Sequence, residues 1–385
     1  MTDPINRALL PAGLHDVLPR EAAFEATIVE KLMAEFALNG FDRVKPPLIE
    51  FEASLLSGPG AAMATQTFRL MDPVSQRMLA LRPDMTLQVA RIATTRLANE
   101  PRPLRLSYGG QVLRVKGSQL RPERQFGQVG VELIGTLLPT ADAEVVLLAY
   151  RALDSVGVNN ISVDLNVPTL VPAVCRALDL PDEETARLRQ ALDRKDAAEV
   201  AAVGGKAAEL LASLMRASGP ADRAVELLAA LDLPAAADGD RQRLTEVVRL
   251  IRAGAPRLML TVDPVEHRGF EYQTGISFTL FSRGVSGELG RGGRYRAGAK
   301  GAETQGEPAT GFTLYLDTVL RAVPDPVPSP RVFLPVETQD ADGARLRSEG
   351  WVTVRALESF DEPAAEARRL HCTHIFTGGQ ILPAA

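Results

Sequence analysis

Five stretches of this 385-residue chain combine charged or hydroxylated side chains with the alternation of a β-strand. A sheet face holds such side chains rigidly enough to build a polar pocket. LRPDMT places Arg82, Asp84 and Thr86 at alternating positions just ahead of a helical pattern, and VLRVK supplies Arg114. RQFGQVGVE supplies Arg124, Phe126, Gln128 and Glu132, the last three on one face by their even spacing. RGFEYQTG adds Arg268 and Tyr272, and GGRYR adds Tyr295. Together they suit a small zwitterion that carries a polar ring. Singly they say little: Arg82 or Arg114 alone reads as a surface ion pair, Glu132 as a solvated strand residue, and Gln128 and Tyr295 as packing or rim residues.

Other chemistries find less support. The glycines at 287–293 lack GxGxxG spacing and are not followed by a helix-length apolar segment, so they are not a dinucleotide fingerprint. VAAVGGKA (200–207) shares only a Gly-Lys pair with a phosphate loop and reads as a connection between helices. His371, Cys372 and His374 are explained by alternation on a strand, without second-site metal ligands. GxSxG and HExxH are absent, and the other histidines, His15 and His267, complete no triad. Neither a catalytic residue, a metal nor a cofactor is expected.

The elements that must position these residues follow from periodicity. Phe24, Ile28, Leu32, Met33 and Phe36 predict a helix over 20–39 closed by Gly40. The extended FDRVKPPLIEF that follows carries Pro46 and Pro47, which suit a sheet edge or an interface strand. A hairpin is expected at 67–81, and two long strands at 104–116 and 124–136 whose short connection favours antiparallel pairing. A helix over 141–157 and a strand over 161–166 come next. From 168 to 258 alanine and leucine at helical spacing predict a helical insertion; strands return at 257–263 and 268–281. The expected architecture is therefore α+β: an antiparallel sheet flanked by helices, divided between 1–167 and 259–323, with 168–258 inserted. A Pro-rich linker at 324–330 leads to a small α/β module at 331–385. The glycine-rich 283–306 is expected to be a loop able to order over a ligand.

Composition narrows the class further. Hydrophobic residues make up 45% and charged residues 24%, as in a folded globular chain. No apolar run is long enough to span a bilayer and the N-terminus has no export pattern, so no membrane and a cytoplasmic location are expected. Two distant cysteines, Cys175 and Cys372, build no disulfide framework. A net charge of −5 argues against nucleic acid gripped through its phosphates.

In order and spacing, LRPDMT, RLSYGGQVLRVKGSQLRPERQFGQVGVELIG, RGFEYQTGISF, GGRYR and ATGFTLYLD resemble the catalytic domain of histidyl-tRNA synthetase, a class II aminoacyl-tRNA synthetase. The resemblance runs over about residues 8–322, and the start PAGLHDVLPREA is similar too. It implies a histidine pocket. Asp84 and Thr86 would meet the amino group, Gln128, Glu132 and Tyr295 would surround amino group and imidazole, and Arg268 would lie near the carboxylate, with Arg114 and Tyr272 in the same ligand set.

The departures from that family bear on activity. Its second signature has an arginine followed two residues later by glutamate, whereas Arg114 is followed by Val115 and Lys116. Its third signature ends in an arginine that grips ATP, where this chain has Thr318, and a hydroxyl cannot replace a guanidinium fork. Gln273 stands where the synthetases have a second tyrosine, while Phe126, the adenine-stacking position, is kept. The tail is too short for an anticodon-binding domain, so no tRNA is expected. This combination resembles the regulatory subunits of ATP phosphoribosyltransferase, inactive relatives of the synthetases. The resemblance implies a homodimer core, a hetero-octamer with the short-form catalytic subunit, activation of that subunit in the first step of histidine biosynthesis, and histidine as feedback effector. A divergent ATP-dependent ligase and an RNA-binding regulatory domain are the other readings open to the sequence.

Overall fold

Phe41 closes the first helix by a backbone pattern that explains why the chain turns where it does. α1 (Pro19–Leu38) buries Ile28, Leu32, Met33 and Phe36. At its end Gly40, at φ +82°, donates to the Ala37 carbonyl while Phe41 donates to that of Phe36, which satisfies two orphaned acceptors. The computed structural model describes residues 9–56, 58–117, 121–266, 273–298, 306–326 and 329–384.

The extended segment after α1 is two strands, not one. β1 (Asp42–Arg43) lies at the edge of the large sheet, and Pro46 and Pro47 separate it from β2 (Ile49–Phe51) in a small sheet. After α2 (Glu52–Leu55), the hairpin forms as β3 (Arg69–Met71) and β4 (Met78–Leu81), which pairs with β2 as well. α3 (Thr86–Thr95) leads into β5 (Leu104–Leu113) and β6 (Gln125–Ile134), antiparallel with Tyr108 opposite Gly130. α4 (Pro139–Ser155) and β7 (Ile161–Asn166) follow.

Between β7 and β9 (Met259–Asp263), which run parallel, the chain forms α5 (Leu170–Ala177), α6 (Asp182–Asp193), α7 (Ala197–Ala202) and α8 (Gly205–Arg216). A two-residue strand β8 (Gly219–Pro220), α9 (Ala221–Ala229) and α10 (Ala235–Gly254) complete this crossover. β10 (Ser277–Ser282), β11 (Gly290–Ala297), β12 (Glu307–Tyr315) and α11 (Leu316–Ala322) finish the fold. The nine strands lie in the order β1-β5-β6-β12-β11-β10-β7-β9-β8.

Two expectations fail here. Of the strand expected over 268–281, residues 268–272 lie outside the described residues, 273–276 are not strand, and β10 starts at Ser277. The glycine-rich loop expected over 283–306 contains β11, hydrogen-bonded on both sides near the middle of the sheet. Its glycines serve close packing: a Cβ on Gly292 would fall on the Phe278 ring.

The sheet has two different faces because β6 alternates. Val129, Val131 and Leu133 pack with α1, α4 and the crossover helices in one continuous core. Phe126 and Ile134 point the other way, with Tyr108, Val112, Tyr295, Tyr315 and α3. Along the chain the contacts define two units, Met1–Pro324 and Asp325–Ala385. The second is a four-stranded sheet in the order β14-β13-β15-β16, formed by β13 (Arg331–Leu334), β14 (Val352–Arg355), β15 (His374–Thr377) and β16 (Gln380–Pro383), with α12 (Asp340–Ser348) and α13 (Pro363–Arg369). Of the His371, Cys372 and His374 set expected on one strand, only His374 lies in β15; His371 sits at φ +55° in the turn after α13. No helix among the described residues is long and apolar enough to cross a membrane.

Candidate functional site

Glu132 lies 1% exposed on β6, beneath a small cleft of about 60 Å³ that opens to solvent. Its Oε2 accepts from the Tyr295 hydroxyl of β11 at 2.9 Å, and its Oε1 from the Tyr108 hydroxyl of β5 at 3.2 Å. Tyr108 is fully buried, and its hydroxyl is also within 2.7 Å of Thr313 Oγ1 and 3.2 Å of Thr86 Oγ1. A network of hydroxyls thus spans four elements around one carboxyl. Burial raises Glu132 to about 8, against the lowering effect of bonds from Tyr295, Thr86 and Tyr108, and the carboxylate of Asp84 adds to the rise. Burial likewise pushes the Tyr108 phenol well up. Gly311 on β12 makes room for this carboxyl, since a Cβ there would fall on Glu132 Oε2.

The LRPDMT turn supplies the opposite wall. Asp84 Oδ1 accepts from the Thr86 backbone N–H at 2.8 Å, which fixes the carboxylate at the start of α3. Gln128 holds it from below: its Nε2 donates to Asp84 Oδ2 at 2.9 Å, and its Oε1 accepts from the Met85 N–H at 3.2 Å. Both halves of the Gln128 amide are engaged within the protein and Gln128 is fully buried, so it positions Asp84 and does not line the cleft. Asp84, Thr86, Glu132 and Tyr295 do line it, together with Gln273, Arg291, Thr313 and Tyr315.

Several expected residues lie elsewhere. Arg114 is outside the cleft lining; its Nε donates to the Pro83 carbonyl at 3.3 Å and its guanidinium stands 5.1 Å from the Phe126 ring. Arg124 turns to the N-terminal segment and donates to the Ala12 carbonyl at 3.1 Å. Arg82 is neither a surface ion pair nor a cleft residue. It is 6% exposed and donates to the carbonyls of Gln111 at 2.7 Å and Pro46 at 3.1 Å, which ties the LRPDMT turn to β5. Glu132 is the reverse of the solvated strand residue its type alone suggests. Arg268 and Tyr272 lie outside the described residues.

Sequence reasoning missed Tyr108, Thr313 and Arg121. Arg121 is 8% exposed; its Nε donates to Asp317 Oδ2 at 2.8 Å and its Nη2 to Thr318 Oγ1 at 3.4 Å. Its guanidinium covers the Tyr315 ring at 3.9 Å and reaches within 5.1 Å of the Phe126 ring. The aromatic faces beside Thr318 are thus occupied by the protein's own cation. Only Tyr108 left a signal, as the polar-tipped member of the Leu104, Leu106, Tyr108 alternation.

A central antiparallel sheet, helices packed on one face and a polar cleft on the other define a class II aminoacyl-tRNA synthetase-like protein. A histidyl-tRNA synthetase family model matches residues 13–319. Two solved structures share the fold: an ATP phosphoribosyltransferase regulatory subunit/histidyl-tRNA synthetase from Bacillus halodurans C, with TM-score 0.79 at 23% identity over 96% of this chain and 97% of that one, and the histidyl-tRNA synthetase of Nostoc sp. PCC 7120, with TM-score 0.78 at 18% identity over 95% and 90%. Nearer in sequence is the ATP phosphoribosyltransferase regulatory subunit of Rhodospirillum centenum, 64% identical over 98% of this chain and 97% of its own. That of Paramagnetospirillum magneticum is 59% identical over 97% of each. The chain belongs to the family of ATP phosphoribosyltransferase regulatory subunits. It is a regulatory component and not itself the catalyst.

Proposed function

We propose that this chain activates the short-form catalytic subunit of ATP phosphoribosyltransferase and confers feedback inhibition by histidine on it. The catalytic subunit and a homodimer core of this chain would form a hetero-octamer in the cytoplasm. The observation that carries the histidine reading is the buried Glu132 carboxyl, ringed by Tyr108, Tyr295 and Thr86 at the base of a small polar cleft. In this reading Glu132 and Tyr295 receive the imidazole, Asp84 and Thr86 the ammonium, and Gln128 acts by holding Asp84. In the same reading Arg268 would lie near the carboxylate, with Tyr272 in the ligand set.

Absence of ligase chemistry fits the same reading. Holding ATP through amino-acid activation requires cations aimed at developing phosphate charge. Here Thr318 stands at the end of the third signature, and Arg121 is engaged with Asp317 and stacked on Tyr315. Histidine acts as an effector by binding the inhibited arrangement of the complex better than the active one, and the difference in affinity sets the extent of inhibition.

The test is phosphoribosyl transfer by a short-form catalytic subunit, with and without this chain, followed by addition of histidine. Stimulation that histidine reverses is the expected result. No stimulation, together with histidine-dependent pyrophosphate exchange by this chain alone, would replace the regulatory reading with a ligase.

A further inference from the structure

The donors that reach Glu132 are neutral: the phenols of Tyr295 at 2.9 Å and Tyr108 at 3.2 Å, and the hydroxyl of Thr86. Among the described residues the charged groups nearby do not balance it. Asp84, ahead of α3, is a second carboxylate and opposes ionisation of the first. Arg291 of β11 lines the same cleft, but its Nε donates to Glu288 at 2.6 Å. Among the described residues the other titratable groups around Glu132 are phenols, Tyr108 of β5, Tyr295 of β11 and Tyr315 of β12, and burial pushes Tyr108 and Tyr315 up. A buried carboxylate that the described residues serve with hydroxyls alone is costly, and without ligand this favours the carboxylic acid. An imidazole with its ordinary pKa near ~6.5 arrives at neutral pH without a charge.

We infer that Glu132 and the ring of the bound ligand hold one proton between them: the empty carboxyl carries it, and on binding its O–H bond breaks as an N–H bond forms on the ring, leaving a carboxylate–imidazolium pair. The step consumes no co-reactant, and the pair it forms is neutral overall and charge-assisted. The inference rests on the histidine reading of this cleft and adds to it a proton balance. Ring and carboxyl then titrate as a coupled pair. Below about pH 6.5, the ordinary ring value, both free partners are protonated and binding must release one proton. Above about 8, where Glu132 titrates, both are deprotonated and binding must take one up. Between these limits no proton is exchanged with solvent.

Titration calorimetry of the full chain with histidine, in two buffers of different ionisation enthalpy and from about pH 5.5 to about 9, reads this directly. Affinity should be bell-shaped, falling roughly tenfold per pH unit outside the two limits, with proton release on the acid side and uptake on the alkaline side. A monotonic fall starting near the ring value, or release of one proton at neutral pH, would overturn the inference and leave the histidine reading standing. Absence of histidine binding at every pH would sink both. Glu132→Gln cannot ionise and should lose the part of the alkaline limb that Glu132 causes, while the ligand's own ammonium still titrates there; an unchanged limb counts against the inference. A second probe needs no variant. Triazolylalanine, whose ring is a far weaker base, should bind the native chain at least ~10-fold more weakly and show no acid limb; binding as tight as that of histidine would overturn the shared proton.

Discussion

Glu132 joins stability to ligand binding through a single group. Its carboxyl titrates near 8 in the folded chain against 4.5 as the ordinary value, so between those limits the folded state binds more protons than the unfolded one. Stability therefore falls as pH rises through that window, on the order of 1.4 kcal/mol per pH unit at its steepest, and the contribution is fully present only below the ordinary value. Asp164 and Glu266, both raised by burial, act in the same direction. Thermal melts of the ligand-free chain should show a larger loss between about pH 6 and about 8 than melts of Glu132→Gln, whose amide does not titrate. Equal losses in the two proteins would mean that Glu132 is ionised when empty. Gly311→Ala tests the same carboxyl sterically. Its Cβ would fall on Glu132 Oε2, so the variant should lose about 1–3 kcal/mol in urea denaturation and most of its histidine affinity. Native-like affinity would show that Glu132 can move aside without loss of the site.

Elements built on side-chain periodicity were legible, and those built on neighbours were not. The Ile28, Leu32, Phe36 spacing of α1 and the alternation of β5 and β6 are written in apolar side chains, and both appear as expected. β11 reads as a loop because its glycines remove that signal; what makes it a strand is β12 and β10 on either side. Glu132 and Tyr295 could be nominated from types and spacing, whereas Tyr108 matters because three other elements converge on its hydroxyl, a fact absent from any one segment. Gln128 was found but its role was not: only the fold shows its amide turned to Asp84 and Met85. β11 also carries Arg294, 2% exposed, whose guanidinium meets Asp142 of α4 at 2.8 Å and the Thr136 carbonyl at 2.7 Å. Arg243 of α10 reaches the same carboxylate at 3.3 Å. Asp142→Asn leaves two guanidiniums around a neutral amide, one of them buried, and should cost about 3–5 kcal/mol in denaturant unfolding. A loss below about 1 kcal/mol would show that the backbone carbonyls alone satisfy Arg294.

At the scale of the whole molecule, the cores divide as the contacts do. The two large clusters draw only on residues before Pro324, and the two small ones, around Phe333 and Leu334, only on the C-terminal unit. Every described residue that lines the Glu132 cleft belongs to the first unit. A chain ending at Pro324 should therefore unfold cooperatively and bind histidine with unchanged affinity by calorimetry. The C-terminal unit alone is near the size, about 60 residues, at which a single core becomes marginal, so expressed by itself it should melt at much lower temperature than the full chain. The phosphoribosyl-transfer assay then assigns the remaining work. If the shortened chain binds histidine normally but no longer stimulates the catalytic subunit, residues 325–385 supply contacts that activation requires. If it stimulates fully, activation and histidine sensing both belong to the synthetase-like unit. Loss of histidine binding itself would contradict the division of cores and place part of the ligand site beyond Pro324.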